Sequence, residues 1–540
     1  MKFKPVENIA RLNKIEPYYF YFFLLINLIP VLSFKFFPTV DGPAHLYNSN
    51  LIVELLKNSD SLLNDFFVFN GNINPNWSGH FLLSLFLFIF PGFIAEKIVL
   101  LIYLTGLPLS IRYLFKTLSI DNKYLIYLIF PFTYSFLFYF GFYNFNIALV
   151  LFIFGICLWL KYVNNLNLLK IIVLTIISSL ICLSHLFVFA MFLMIIFMIN
   201  IQDLIIAKGK NEFSLKHFFK RILLQFIPLL FGGFLMAKYL LFSQPDNSPA
   251  VYLPLKDIIN SLIDVMPAKG INYGKVAIFT NWILYILTAV ILYLLCVKIY
   301  RIRSENKFIF TNKLWLWITL ATLVLVFIFP DSKGAAIGFM TSRLVLFFFI
   351  FLIIWLSSQK TALWLKIIVF LLVNYINYAL VLHNFRSVSK GCELAEEIHD
   401  VANKIEPYST VFPVVNSDVF IYGHISNYLG SDKPIIVLEN YEASLEHFPL
   451  KWNYQKTPQL FTDSLSNTVN CKEFEYLKNK KELIDYVLIL TPEHQKLNET
   501  CVAGIDSLLI PDYELIYTAS DKVIKLFKKK IPITSIKLPK

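Results

Sequence analysis

Charged residues are scarce in this chain: they make up 16% of its 540 residues, against 57% hydrophobic residues. A soluble protein carries about 25% charged residues. Cysteine is also scarce: the chain has six cysteines, and they include no Cys-x-x-Cys pair. Neither a Gly-x-Gly-x-x-Gly motif nor a Walker loop is present. The composition therefore excludes a single water-soluble globule, a disordered chain and a disulfide-stapled module, and it predicts a polytopic α-helical membrane protein.

The positive charge is distributed unevenly. Residues 384–540 hold 18 Lys or Arg and 21 Asp or Glu, so their net charge is −3. Because the whole chain has a net charge of +12, residues 1–383 have a net charge of +15. The excess therefore lies among the apolar segments, where it is typical of an orientation signal. Because the sequence also lacks zinc-finger spacing and a helix-turn-helix pattern, we expect no nucleic-acid partner.

A membrane-spanning helix needs about 20 apolar residues, and the sequence predicts eleven crossings. Block 80–111 is interrupted at Pro91 and is expected to cross once, with a half-inserted piece before the proline. Block 170–200 is expected to form a hairpin that turns at Ser184-His185. The alternative, which divides 80–111 and keeps 170–200 whole, also gives eleven. The apolar blocks are 18–37, 80–111, 124–140, 145–160, 170–200, 220–242, 276–297, 314–330, 343–357 and 361–382.

Loop charge predicts the orientation of these segments. The N-terminal tail and the loops at 112–123, 161–170, 199–221, 298–313 and 357–366 are net positive. The positive-inside rule places them on the cytoplasmic side of the membrane. Two units are then expected: a membrane module, residues 1–383, and an extracytoplasmic α/β domain, residues 384–540. Within the first, residues 38–79 form an outer loop whose helices lie on the membrane surface and contact lipid.

The first outer loop contains Asp41-Gly42-Pro43-Ala44-His45. Pro43 favours the first turn of a helix, which places Asp41 at its N-cap and His45 one turn later. The pair could activate or orient an acceptor hydroxyl. The alternative is a structural cap beside an exposed histidine.

Other polar residues occur at the predicted outer ends of the spans. Asn144 and Asn146 form a turn that could bind a sugar or satisfy its own backbone, and His185 interrupts an apolar run, which favours a functional role. Lys35, Lys238 and Arg343 could hold a phosphate at the lipid surface. The two lysines could equally extend to the headgroups without a specific role. Arg343 is the stronger candidate, because it begins an otherwise uncharged span.

Residues 384–540 lose the membrane pattern and alternate short β-rich runs with helical stretches. The expected strands are 410–415, 434–438, 486–490, 513–518 and 523–527. Aromatic and polar groups that suit carbohydrate gather between the second and third strands; the candidates are His424, Tyr441, Glu442 and Trp452. The alternative is a turn packed against the membrane part.

In this order, these features resemble the GT-C superfamily of integral-membrane glycosyltransferases, which includes protein O-mannosyltransferases and the transferases that add aminoarabinose to lipid A. The resemblance implies a loop carboxylate at Asp41, a carrier-phosphate ligand at Arg343 and a polyprenyl-phosphate-linked sugar as donor. Relatives often carry a second acidic residue where this chain has Asn144–Asn146. No cofactor or metal ligand is therefore assigned, and a role for a divalent metal stays open.

Three functions remain at this point. The leading one is transfer of a sugar from the lipid carrier to an extracytoplasmic acceptor, which is a glycan, a lipid or a protein. A transporter or flippase of a lipid-linked saccharide would place polar residues near the bilayer midplane and often shows repeats. A non-catalytic anchor for the outer domain would need neither Asp41-His45 nor the cations at the span ends.

Overall fold

The computed structural model describes twelve stretches of the chain: residues 5–72, 74–209, 215–242, 248–271, 273–303, 312–334, 338–417, 419–457, 472–492, 505, 507–520 and 522–530. Their α-helices are α1 Pro5–Leu32, α2 Gly42–Lys57, α3 Ser78–Leu87, α4 Gly92–Thr117, α5 Phe136–Tyr139, α6 Tyr143–Tyr162, α7 Leu168–Ser184, α8 Leu186–Gly209, α9 Leu215–Phe226, α10 Leu230–Phe242, α11 Leu255–Ile263, α12 Tyr273–Arg303, α13 Lys313–Ile328, α14 Met340–Ser357, α15 Leu363–Val401 and α16 Lys472–Lys480.

Eight helical segments in the described part of the chain are long and apolar enough to cross a membrane. They are Lys14–Leu32, Gly92–Thr117, Tyr143–Tyr162, Leu186–Lys208, Phe219–Leu241, Val276–Tyr300, Met340–Ser357 and Leu363–Lys404. Three shorter apolar helices, Ser78–Leu87, Leu168–Ser184 and Lys313–Ile328, accompany them. The expectation of a multi-pass helical membrane protein is confirmed, whereas the count of eleven crossings stays a prediction.

Both expected helix breaks are present. Helix α3 ends before Pro91, and α4 begins at Gly92, so block 80–111 contains one long helix and one short helix. Block 170–200 divides at His185, where an extended backbone separates α7 from α8. Proline cannot donate a backbone hydrogen bond within a helix, which accounts for the first break.

The segment 124–140 differs from the expected spanning helix. It forms a 3₁₀ helix, Lys123–Phe132, followed by the single turn of α5. All residues from 125 to 139 are buried. Pro131 interrupts the hydrogen-bonding pattern, and buried neighbours can accommodate the irregular backbone that lipid could not.

A mixed five-stranded sheet occupies the C-terminal part, and all five expected strands occur in it. The strands are β4 Thr410–Val415, β5 Ile436–Val437, β7 Tyr486–Leu490, β8 Tyr513–Thr518 and β9 Ile524–Lys529. Their order is β5-β4-β7-β9-β8, with parallel pairing in the first three and antiparallel pairing of β9 with both neighbours. The central strand β7 is buried along its whole length, so the sheet forms the core of an α/β unit.

The membrane part and the C-terminal part are continuous in structure. Helix α15 runs through residue 383, where the sequence predicts a boundary. A second connection is the antiparallel pair of β1, Phe67–Phe69, with β6, Leu450–Trp452. A further two-stranded pair, β2 Ala250–Val251 with β3 Ser332–Lys333, lies elsewhere in the chain.

Helix α2 corrects the expectation of surface-lying helices in residues 38–79. Twelve of its 16 residues are buried, because the C-terminal part covers it. Asn48 and Asn440 exchange two side-chain hydrogen bonds, and the Tyr47 hydroxyl donates to the carbonyl of Ile435. The start of α2, which carries Asp41 and His45, therefore lies at the junction of the two parts.

Candidate functional site

Seven ionisable side chains gather at this junction. We call them the junction cluster: Asp41, His45, His80, His424, Glu439, Tyr441 and Glu442. Five of the residues selected from the sequence belong to it, and they come from both the first outer loop and the C-terminal part. The sequence separates these two groups by almost 400 residues, so the sequence alone does not predict their contact.

Asp41 occupies the N-cap position of α2, but its side chain makes no capping hydrogen bond. The Thr39 hydroxyl accepts the hydrogen bond from the Gly42 amide instead. The Asp41 amide donates to the carbonyl of Phe140, and Gly141 lies close by with a positive φ of 86°. A Cβ on Gly141 would come within 2.8 Å of the Asp41 nitrogen, so this close approach requires glycine.

The Asp41 carboxylate faces the C-terminal part. Its Oδ1 lies 3.9 Å from Nε2 of His424, and it also has a side-chain hydrogen bond with Tyr441. The rings of His424 and Tyr441 stack with centroids 4.3 Å apart. Nδ1 of His424 lies 3.3 Å from Glu439, so Glu439, His424 and Asp41 form a continuous polar chain.

Glu442 lies between two histidines. Its Oε2 is 2.8 Å from Nε2 of His80, and its Oε1 makes a close ion-pair contact with Nδ1 of His45. The three residues are at most 4% exposed. Their potential ligand atoms lie within 4.8 Å of one another, which makes them the group in the described residues that could hold a metal ion.

Burial and ion pairing act in opposite directions on these groups. Burial raises the pKa of Asp41, although His424 and His45 partly offset it. Burial would also raise the pKa of Glu442, but His45 and His80 outweigh it and hold that pKa well below its ordinary value. Burial lowers the pKa of His424, yet the hydrogen bond and charge of Glu439, with that of Asp41, raise it overall. The cluster therefore favours an ionised Glu442 between its two histidines.

Arg343 and His185 lie together in a second group, around the aromatic turn that precedes α6. The Arg343 guanidinium lies 4.8 Å from the ring centroid of Phe142 and 5.5 Å from that of Phe145. The His185 ring is 5.4 Å from Phe145 and interacts electrostatically with Arg343. Arg343 is 8% exposed, and its Nε has no hydrogen-bond partner. No salt bridge in the described residues includes it, although Asp331 interacts with it electrostatically.

The two asparagines of this turn have different environments. Asn144 accepts hydrogen bonds from the Ser78 hydroxyl and the Gly79 amide, and thus supports the start of α3. Asn146 is buried, and neither atom of its amide has a partner. It lines a small cavity with Tyr103 and Tyr143. Asn144 therefore has a structural role at this position, whereas Asn146 offers an unpaired amide.

The two candidate lysines have surroundings that differ from those of Arg343. The Lys35 Nζ is 3.5 Å from carboxylate oxygens of Glu396 and Asp400, so its charge is already compensated. Lys238 is exposed on α10. Trp452 is buried within β6, and its ring stacks on Phe67 at 4.6 Å, so one face of the indole is covered by protein.

Two residues of this region were not selected from the sequence: His80 and Glu96. His80 starts the apolar block 80–111, where a buried ionisable group could have been noticed. Glu96 of α4 accepts hydrogen bonds from the hydroxyls of Tyr143 and Tyr428. It thus ties α4 and α6 to the C-terminal part. Local spacing gives no signal for His80 and Glu442 together, because they lie 362 positions apart.

Comparison with known proteins identifies no family for this chain. No protein-family model matches the chain, and no curated protein matches it. The function is therefore argued from the geometry of the two groups.

Proposed function

We propose that the chain is a membrane glycosyltransferase that moves a sugar from a polyprenyl-phosphate carrier to an acceptor outside the cytoplasm, as the resemblance to the GT-C superfamily implies. The observation that carries the proposal is that Asp41 and Arg343 both contact one short aromatic segment, residues 140–145. Asp41 bonds to Phe140, and Arg343 lies over Phe142 and Phe145. A base and a phosphate ligand are thus supported by the same few residues.

Asp41 is assigned the role of general base. In the transfer, the acceptor hydroxyl oxygen forms a bond to C1 of the sugar while the bond from C1 to the phosphate oxygen breaks. The acceptor proton passes to the Asp41 carboxylate, and the carrier phosphate leaves with the electron pair. His424 and Tyr441 contact Asp41 and can orient the carboxylate and the acceptor.

Arg343 is assigned to the carrier phosphate. It lies in the first turn of α14, the buried helix Met340–Ser357, and the proposed topology puts this end of the helix at the outer surface of the membrane, where a carrier phosphate would lie. A guanidinium presents several donors in a fixed plane and binds phosphate oxygens in pairs. Among the described residues no salt bridge engages the guanidinium, although Asp331 interacts with it electrostatically, and His185 lies close enough to interact with it as well.

The location follows from the same proposal. The carrier is a lipid, so the enzyme belongs in the bacterial inner membrane with its N-terminus in the cytoplasm and residues 384–540 outside. The loop charges of the sequence support this orientation. A flippase would need polar residues along a path through the membrane, whereas the described groups collect where the helices meet the C-terminal part.

The test uses the full chain, purified in detergent, with a panel of polyprenyl-phosphate sugars and cell-envelope extract as acceptor. Release of polyprenyl phosphate and incorporation of labelled sugar are measured together. The proposal expects acceptor-dependent release for at least one donor, and loss of it in Asp41→Asn. Asp65→Asn is the matched control, because Asp65 pairs with Lys456 outside the junction cluster. Equal activity of parent and Asp41→Asn, or no release from any donor, would refute the proposal.

A further inference from the structure

We propose that His45, His80 and Glu442 bind one divalent cation of the zinc class, which holds the C-terminal part against α2 and α3. The metal site is independent of the proposed transferase function. It rests on the ligand types, their geometry and the burial of all three residues.

The ligand set suits zinc. Imidazole nitrogen and carboxylate oxygen are ordinary zinc ligands, and two histidines with one glutamate leave a fourth position free in a tetrahedral site. Zinc-bound nitrogen and oxygen atoms lie about 3.3 Å apart in such a site. The atoms of His80 and Glu442 are 2.8 Å apart, and the whole group lies within 4.8 Å, so small shifts suffice. His447 interacts electrostatically with all three residues and lies beside the site.

Two buried atoms of the group face each other directly. Nδ1 of His45 and Oε1 of Glu442 form a close ion-pair contact, and neither atom has a hydrogen-bond partner outside the group. A cation would be bound by both atoms after a small separation of the two side chains.

The charge of the junction cluster also favours a cation. Asp41, Glu439 and Glu442 are three carboxylates close to one another, and the bases that pair with them among the described residues are histidines. A divalent ion would offset two negative charges in a region closed to water.

The site joins three separate segments of the chain. His45 belongs to α2, His80 to α3 and Glu442 to a 3₁₀ turn of the C-terminal part. Tyr441, which contacts Asp41, is the neighbour of Glu442. A metal at this point would therefore fix Tyr441 beside Asp41 as well as connect the two parts.

The experiment measures metal content without substrate. Full-length protein from zinc-supplemented cells is purified in detergent without chelators or metal-affinity resin, and analysed by mass spectrometry of the elements. We expect about one zinc ion per chain, retained through gel filtration, and loss of most of it in His80→Gln and Glu442→Gln. His399→Gln is the matched control, because His399 is a partly buried histidine paired with Asp432.

A second measurement covers variants that fail to fold. Parental protein is treated with 1,10-phenanthroline, and the midpoint of thermal unfolding is followed before and after zinc or magnesium is added. We expect a lower midpoint that zinc restores and magnesium does not. Parental protein with less than about a tenth of an equivalent of metal and no response to the chelator would overturn the site, as would folded His80→Gln and Glu442→Gln proteins that keep parental zinc.

Because no sugar donor enters these measurements, the two proposals fail separately. A zinc-containing chain that is inactive with every donor would refute the transferase and keep the metal site. An active chain without metal would do the reverse.

Discussion

At the scale of the residue, the surroundings of Asp41 separate a chemical role from a structural one. The sequence alone is equally consistent with two roles for Asp41, a cap of α2 and a catalytic group. In the fold, Thr39 accepts the capping hydrogen bond, and the Asp41 carboxylate is turned to His424 and Tyr441. The helix therefore does not depend on the Asp41 side chain.

We predict that Asp41→Asn lowers sugar transfer by about 100-fold or more, the usual scale for removal of a general base. Asparagine keeps the size of the side chain but cannot accept the acceptor proton. Thermal unfolding should change little, because the cap is Thr39. Initial rates with labelled donor, compared with Asp65→Asn at equal folded protein, provide the measurement. A folded Asp41→Asn enzyme with the parental rate would remove Asp41 from the mechanism.

Arg343→Lys should weaken use of the donor by about tenfold or more, because the hydrogen bonds of a charged group are worth roughly 1.5–3 kcal/mol and lysine cannot present a planar pair of donors. Binding of a fluorescent polyprenyl phosphate to the detergent-purified chain measures this directly. Lys35→Ala is the control, since Glu396 and Asp400 already compensate Lys35. Unchanged binding by Arg343→Lys would argue against phosphate recognition at this position.

At the scale of the element, short irregular pieces position the long helices. Asn144 at the start of α6 supports the first turn of α3, and Asp432 accepts a hydrogen bond from the Gly92 amide at the start of α4. The pair of β1 with β6 attaches the first loop to the C-terminal part. Each contact joins segments far apart in sequence, so the junction cluster depends on several docking contacts.

We predict that Trp452→Ala destabilises the protein by about 3–5 kcal/mol, the range for truncating a buried large aromatic side chain. Trp452 is 4% exposed and stacks on Phe67. If its role is packing, the folded fraction should keep its affinity for the sugar donor. Thermal unfolding and KM are measured on the same preparation, with Trp452→Phe as the conservative control. A raised KM without loss of stability would restore the sugar-binding role that the sequence suggests.

At the scale of the whole molecule, the C-terminal part closes over the ends of the helices. Tyr47, Asn48 and Glu96 of the helical part all bond to residues beyond 420. A freely tethered domain would not bury these polar groups. The two parts are therefore expected to unfold together.

Topology provides the prediction at this scale. Reporter fusions at Gly209 and Ser304 should be active only with a reporter that works in the cytoplasm. A fusion at Lys540 should require a periplasmic reporter, because the basic loops stay inside. Paired enzyme reporters at each site, in cells with equal fusion levels, give the measurement. An active cytoplasmic reporter at Lys540 would reverse the orientation.

The class of the molecule and much of its secondary structure follow from local sequence patterns. Composition predicts the apolar helices, Pro91 predicts the first helix break, and the β-rich runs predict the five strands of the C-terminal sheet. These features depend on local patterns of side chains and on backbone chemistry, which neighbouring residues already contain. The irregular segment 124–140 was missed because buried neighbours, rather than its own hydropathy, satisfy its backbone.

Which polar residues lie together depends on how distant segments of the chain pack. Asp41 and His45 were visible as a pair because one helical turn separates them, but His80 and Glu442 meet them through docking of distant segments. Asn144 and Trp452 carry chemical groups that suit a sugar site, and the fold adds partners that the sequence does not reveal: Ser78 and Gly79 for Asn144, and Phe67 for Trp452. The sequence specifies the chemistry of each side chain, whereas its contact partners depend on long-range packing that local patterns do not encode.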